Sequence, residues 1–254
     1  MKAAVVYKPD SLDVAESVKE FLLSLNVEAE VCEQSKELEN YNFIVSVGGD
    51  GTILRTLQML DECPPIFGVN TGKVGLLTHA SPEDFKEKLG KAIEDMNIEE
   101  FMRIECTNGE RLIALNEIAL LTAVPARLVE FTVCVDGIEI EKMRGDGLLI
   151  STPIGSTAYA LSTGGPIIDP RMYCVLVVPV APFKLGWKPW VVDASRTVEV
   201  TIHNRPCLAI ADGHRIVEIP PGSKLVFEKS GFPARFFKIP NRIKRITEML
   251  RKMD

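Results

Sequence analysis

The sequence predicts an α/β N-terminal domain, a parallel sheet with flanking helices, followed by an all-β C-terminal domain. A C-terminal helix returns to the first. Three observations carry this. Strand-like and helix-like runs alternate over the first hundred residues, which implies a parallel sheet covered on both sides. Helix-length patterns nearly vanish after residue 101, where short apolar runs and two Asp-Gly hairpin signals take over. The last stretch, 241–253, regains helical spacing. The expected partition is 1–100 plus 240–254 for the α/β part and 101–239 for the β-rich part.

Taken in order, Ala3 to Tyr7 is a short apolar strand. Ser11 caps a helix whose face carries Ala15, Val18, Leu22 and Leu25. Val27 to Cys32 is a strand, and Phe43 to Val47 is a continuous apolar run, as in a strand buried on both faces. A glycine-rich turn leads into a helix with Ile53, Leu54, Leu57 and Leu60; Ile66 to Val69 is the next strand. Ser81 starts a further helix, with Asp84 as a capping partner and Phe85, Leu89, Ala92, Ile93 and Met96 on its apolar face.

In the second half, strands are expected over 111–121, 129–135, 138–143, 175–180, 197–203, 208–211 and 224–228. Asp136-Gly137 and Asp212-Gly213 form the turns. The final helix puts Ile243, Ile246, Met249, Leu250 and Met253 on one side, to pack on the first domain. Its basic residues also fit a membrane-surface helix, but Glu248 dilutes them and no large aromatic joins them.

The 254 residues, 46% hydrophobic and 25% charged, can bury a core without disulfide or metal staples. A net charge of −6 argues against a nucleic-acid partner but not against a small anionic ligand. Six scattered cysteines, with no C-x-x-C pair, are expected to be reduced in a cytoplasmic protein. Three histidines without paired spacing do not suggest zinc. The apolar runs are too short for a signal peptide or a membrane span.

Two motifs carry chemistry. Val47-Gly48-Gly49-Asp50-Gly51-Thr52 lies between a buried strand and a helix, where open α/β sheets bind ligands. Its glycines let a phosphate approach Gly48, Gly49 and Gly51, and Thr52 can cap the helix, whose N-terminus favours anions. A pure phosphate cradle would exclude Asp50. A carboxylate there implies a task, either taking a proton from an attacking hydroxyl or helping to hold Mg²⁺. The plain alternative is a tight turn in which Asp50 bonds only its own backbone.

The second motif runs from Asp146 to Ser162. A strand ends at Thr152-Pro153, Gly155 turns, and Ser156 can cap a short helix. The hydroxyls of Ser156, Thr157 and Ser162 and the ring of Tyr159 suit a ribose and a base. Asn116-Glu117, closing an earlier strand, can bind two ribose hydroxyls.

Together the GGDGT turn, the Asn-Glu pair and the T-P-x-G-S-T-A-Y stretch, which runs on to Ser162-Thr163-Gly164-Gly165-Pro166, resemble the NAD kinase family over nearly the whole chain. The resemblance implies phosphoryl transfer from ATP or polyphosphate, with Mg²⁺, to the 2′-hydroxyl of the adenosine ribose of NAD. It implies Asp50 as proton acceptor, with Gly51 beside it, and Arg55 as a contact to dinucleotide or donor. Asn116 and Glu117 would bind the nucleoside, and Arg127 would be a basic contact. Arg144 and Asp146 would lie near the dinucleotide, and Thr157, Ala158, Tyr159, Ala160, Leu161 and Ser162 would form the binding loop. Ala181 and His214 would be outer contacts.

Ile154 replaces a usual Thr in that loop, and Phe67-Gly68-Val69-Asn70 and Gly75-Leu76-Leu77 vary a usual apolar pattern. Homodimers or homotetramers are implied, and Trp187 and Trp190 are expected to overhang and dock on a second copy. Two other readings stay open. One is a lipid or sphingoid kinase, which shares GGDGT. The other is a non-catalytic dinucleotide sensor.

Overall fold

The computed structural model describes residues 1–252 other than 74, 109 and 185. Met253, expected on the last helix, lies outside the described residues. The chain divides into two units. One comprises residues 1–100 and the stretch from Phe232 onward, and the other comprises 101–231.

The first unit is built from β1 (Lys2–Tyr7), α1 (Leu12–Ser24), β2 (Glu28–Val31), β3 (Phe43–Gly48), α2 (Asp50–Gln58), β4 (Ile66–Asn70), α3 (Phe85–Asp95) and β5 (Ile98–Phe101). The sheet runs β2-β1-β3-β4, and then takes in a strand from far along the chain before β5. β3 is parallel to both neighbours, with Val45 opposite Val5 on one side and Phe67 on the other. All six of its residues are buried, which is why it reads as an unbroken apolar run. One face of the sheet packs Val5, Phe43, Val45 and Phe67 against α1 and α3 through Val18, Leu22, Phe85 and Leu89. On the other face α2 comes so close to β4 that a Cβ on Gly68 would lie 2.9 Å from Ile53 Cδ1.

Helix ends differ from expectation in three places. Leu25 caps the C-terminus of α1 and is exposed. Met96 caps α3 in the left-handed region (φ 44°) and is likewise exposed rather than on the apolar face. Ser11 stands at the N-cap of α1, but its hydroxyl bonds Asp10 and Thr71, not the helix. The Ser81–Asp84 pairing does form, since Ser81 N–H donates to Asp84 Oδ1 at 2.7 Å, although Asp84 itself is the N-cap.

The second unit holds β6 (Ile104–Asn108), β7 (Glu110–Ala114), β8 (Glu117–Thr122), β9 (Val129–Val135), β10 (Ile138–Ser151) and a single helical turn α4 (Tyr159–Ser162). These are followed by β11 (Cys174–Pro182), β12 (Trp190–Asp193), β13 (Val198–Ile202), β14 (Cys207–Ala211), β15 (Arg215–Ile219) and β16 (Lys224–Lys229). They form one 11-stranded sheet in the order β15-β14-β8-β10-β9-β13-β16-β6-β7, with β11 and β12 added on β10. β9 alternates buried and half-buried residues, the period of a strand with one face on a core. Asp136-Gly137 makes the expected two-residue hairpin, with Val135 opposite Ile138 and φ of 50° and 77° at the turn.

Several readings need correction. The run 111–121 is not one strand, because the chain breaks between β7 and β8 at Leu115-Asn116. The strand starting at Ile138 does not stop at Met143; it continues to Ser151, past a bulge between Glu139 and Glu141. Trp187 does not overhang. It is 8% exposed and belongs to the β core, whereas Trp190 is exposed.

The chain then adds β17 (Ala234–Phe237) and α5 (Arg242–Lys252). β17 is the strand that joins the first sheet, parallel to β4 with Phe236 opposite Ile66. Residues 232–239, expected in the β-rich part, therefore belong to the first unit. α5 buries Ile246 and Met249, but Ile243, placed on the same side by spacing, is 61% exposed. Among the described residues no helix is long and apolar enough to cross a membrane, and no disulfide forms.

Candidate active site

In the first unit the glycine turn closes tightly. Gly48 has φ 156°, and a Cβ there would sit 2.2 Å from Thr52 Oγ1. Gly49 is the N-cap and α2 begins at Asp50, so Thr52 lies inside the helix and does not cap it, contrary to expectation. Beside Gly49 and Gly51 nothing approaches the Cβ position within 4 Å, so their backbone is open to a ligand.

Asp50 occupies the first helical position, where the macrodipole favours a negative charge. Its carboxylate does not fold back on its own turn. Oδ2 accepts the N–H of Leu76 at 2.8 Å and Oδ1 that of Leu77 at 3.0 Å. Burial raises its pKa above the usual carboxylate value. The N–H groups of Leu76, Leu77 and Thr78 and the Arg245 guanidinium pull the other way. The result is a carboxylate group held in place with a raised proton affinity, which suits a general base. Arg55 projects from the same helix and is exposed.

The segment that serves Asp50 is itself closely fitted. A Cβ on Gly75 would meet Thr78 Oγ1 at 2.2 Å. His79 joins two strands: its Nδ1 accepts the Gly68 N–H at 2.9 Å, and its Nε2 lies 2.7 Å from the Phe237 carbonyl. That pairing requires the neutral tautomer with hydrogen on Nε2. Burial drives its pKa down to about 3, consistent with a permanently neutral ring stacked on Phe67. Sequence reasoning assigned no role to Leu76, Leu77 or His79, because backbone donors leave no residue signature.

In the second unit Asn116-Glu117 opens β8 rather than closing a strand. The break before it is held by Asp212, whose carboxylate accepts the N–H groups of Leu115 (2.8 Å), Asn116 (2.7 Å) and Glu117 (3.3 Å). Asp212 is only 5% exposed, with φ 49°. It was expected to be merely a turn residue, and the Asp-Gly signal concealed this second use.

The binding loop is sewn to the same place. Thr152 N–H and Ser151 Oγ both donate to the Asn116 carbonyl, and Thr152 Oγ1 donates to Leu115 O at 2.6 Å. Gly155 lies so close that a Cβ would be 2.1 Å from Asn116 O. Ser156 does not cap a helix. It is fully buried, and its hydroxyl accepts the Ile168 N–H at 3.1 Å.

Glu117 is 8% exposed, and its Oε2 has no hydrogen-bond partner among the described residues. Burial first, and the neighbouring Asp212 charge second, push its pKa up to about 8, against one N–H from Tyr159. A carboxyl so raised can hold its proton and then donate as well as accept, and in either form it can bond a ribose hydroxyl. Tyr159 and Ser162 are exposed, Thr157, Ala158 and Leu161 half-buried, and Ala160 and Ile154 buried. Thr157 Oγ1 lies 3.2 Å from Ile154 O.

Arg144, Asp146 and Ala181 come together on paired strands. β10 and β11 align Gly145 with Pro182 and Gly147 with Val180, so Asp146 falls opposite Ala181. Arg144 is exposed, 6.0 Å above the Phe183 ring. Ala181 has φ 44°, an uncommon backbone for a residue with a Cβ. Arg127 is exposed after β8, where Thr122 Oγ1 holds its carbonyl. His214 is exposed at the β14–β15 turn, its N–H on Ala211 O.

The chain is similar to known proteins in both halves. Residues 5–97 match the ATP-NAD kinase N-terminal domain family, and residues 115–239 match the ATP-NAD kinase C-terminal domain family. The NAD kinase of Archaeoglobus fulgidus is 48% identical over the full length of both chains. That of Methanosarcina mazei is 41% identical over 219 residues, 85% of this chain and 75% of its own. A crystal structure of an NAD kinase from Archaeoglobus fulgidus in complex with ATP superposes with a TM-score of 0.94 at 47% identity, covering both chains completely. Yeast NADH kinase complexed with NADH shares the fold at a TM-score of 0.86 and 21% identity, over 99% of this chain and 87% of its own.

Proposed function

Because the chain belongs to the NAD kinase family, we propose that it transfers the γ-phosphoryl of ATP to the 2′-hydroxyl of the adenosine ribose of NAD, giving NADP and ADP. Asp50 takes the proton of the 2′-hydroxyl as its oxygen bonds to the γ-phosphorus. The bond from that phosphorus to the β,γ-bridging oxygen breaks, and ADP leaves. Gly48, Gly49, Gly51 and Thr52 receive the donor's phosphates. Asn116 and Glu117 bind the nucleoside, and Thr157, Ala158, Tyr159, Ala160, Leu161 and Ser162 enclose it together with Ile154. Arg55, Arg127, Arg144, Asp146, Ala181 and His214 are the outer contacts.

The observation that carries this reading is the carboxylate of Asp50. It is fixed by two backbone N–H groups at the open N-terminus of a helix, where a phosphate binder without a base would have no use for it. Most of the acceleration then comes from positioning and charge stabilisation.

Among the described residues no group of three or more His, Cys, Asp or Glu side chains could hold a metal ion. That suits Mg²⁺ carried chiefly by the donor's phosphates and water. When bound, the cation offsets charge on those phosphates. We take the working form to be a homodimer or homotetramer in the cytoplasm, with exposed Trp190 rather than Trp187 available to a second copy. Light scattering that finds only monomer removes that part.

The central test is a coupled assay for NADP with NAD, Mg²⁺ and either ATP or inorganic polyphosphate. Turnover with either donor upholds the reaction and names the donor. No NADP with both, from folded protein, overturns it.

A further inference from the structure

The last helix grips the segment that holds Asp50. Arg242 Nη1 donates to Leu76 O at 3.1 Å, while Leu77 N–H, the other end of the same peptide unit, donates to Asp50 Oδ1. One amide therefore lies between a guanidinium and the carboxylate. Two further hydrogen bonds fix Arg242: its Nε and Nη2 both donate to Glu99 Oε1, at 2.9 and 2.6 Å, and only 11% of its side chain is exposed. One position along the helix face, Arg245 Nη1 donates to Thr78 O. The N–H of the peptide unit so gripped, that of His79, is bonded to Gly68 O at 2.7 Å.

We propose that Arg242 and Arg245 are positioning residues for Asp50. By holding the Leu76 carbonyl, Arg242 presents the Leu77 N–H to the carboxylate; Arg245, anchored on the Thr78 carbonyl, keeps a cation beside it. This rests on the reading of Asp50 as the base and deepens it.

The chemistry follows from polarisation. A cation on an amide oxygen makes its N–H a stronger donor, and a stronger donor favours the ionised carboxylate. Arg245 adds a direct electrostatic pull in the same direction. The charged groups around it are Asp50, Arg242, Asp84 at the start of α3, and Glu248 on its own helix; Lys88 lies near on α3 and His79 stays neutral. Burial raises the Asp50 pKa, and the N–H groups of Leu76 and Leu77, followed by the Arg245 charge, oppose it; Arg242 acts through the amide that carries the Leu77 N–H.

The test is turnover against pH at saturating NAD, ATP and Mg²⁺, for wild type, Arg245→Gln, Arg242→Gln and the corresponding lysine variants, with thermal melts alongside. Glutamine keeps a donor for the carbonyl but removes the charge. We expect the acid limb of kcat to move to higher pH by about half a unit or more in each glutamine variant. KM for NAD should stay within about twofold, and lysine should bring the limb back. Either glutamine variant that melts as a folded protein decides the matter. An acid limb that coincides with wild type in it, whatever the melting temperature does, overturns the proposal. Asp50→Asn separates the two ideas. If that variant turns over normally, the base assignment fails. If it is inactive while the limb stays still, only the role of the arginines falls.

Discussion

The two units each withdraw a carboxylate from water, and treat it in opposite ways. Asp50 is half-buried and answered by the N–H groups of Leu76, Leu77 and Thr78 and by the Arg245 charge. Glu117 is buried beside another acid, Asp212, with one N–H from Tyr159 and one oxygen left without a partner. The first environment suits an anion that accepts a proton; the second suits a neutral acid that gives a hydrogen bond. The residue type does not decide the role. The dipoles and charges aimed at it do.

Four changes break or sharpen that contrast. Asp50→Asn should bind NAD with little change yet lose about 10²–10⁴-fold in kcat, read from steady-state kinetics beside a binding titration. Near-normal turnover would reduce Asp50 to a structural carboxylate like Asp212.

Gly155→Ala forces a Cβ to within 2.1 Å of Asn116 O, so backbone must shift. It should cost about 1–3 kcal/mol in denaturant melts and raise KM for NAD, while leaving ATP affinity alone. An unchanged melt would mean that the loop and Asn116 are not locked together.

Asp212→Asn removes the charge and weakens the three N–H bonds that shape the β7–β8 break. A loss of about 1–2 kcal/mol is expected, with a larger effect on KM than on kcat. A pure kcat effect would argue that Asp212 acts on the chemistry.

Glu117→Gln should be the mildest at neutral pH, because the amide resembles the protonated acid. Its signature is in stability against pH. The folded pKa is raised to about 8 from the ordinary glutamate value of 4.5, so the folded state keeps a proton that the unfolded state has lost. Stability therefore falls as pH rises between those two values, and is flat above and below them. The glutamine variant lacks that fall. Its unfolding free energy relative to wild type, read from denaturant melts, should climb from pH 5 to 8 by up to about 1.4 kcal/mol per pH unit. A constant difference would show that Glu117 is ionised in the folded protein.

What the sequence displayed was local. β3, the glycine turn and α2 are consecutive, and the buried run, the three glycines and the odd acid could be read together over fifteen residues. Ile154 to Ser162 was legible for the same reason. The supports were not, because each joins distant positions. Asp212 reaches back to Leu115–Glu117 across almost a hundred residues, and Arg242 reaches Leu76 across 166.

Backbone donors such as Leu76 N–H are carried by any residue but proline, so nothing at that position advertises them. Strand β17 is only four residues long, too short for alternation to announce it. Ser156 and Trp187 went astray for another reason: a hydroxyl at a helix start and a large aromatic near a loop have common uses, and here burial imposed different ones.

The insertion of β17 between β4 and β5 has a consequence for how the protein comes off the ribosome. The first hundred residues emerge early, yet their sheet has a slot that only residues made near the end can fill. Until Phe236 reaches Ile66 and the arginines of α5 arrive, the carbonyls of Leu76 and Thr78 lack the guanidinium groups that hold them. The nascent chain therefore carries its glycine turn complete but unarmed, and the phosphate-handling end matures last although it is encoded first.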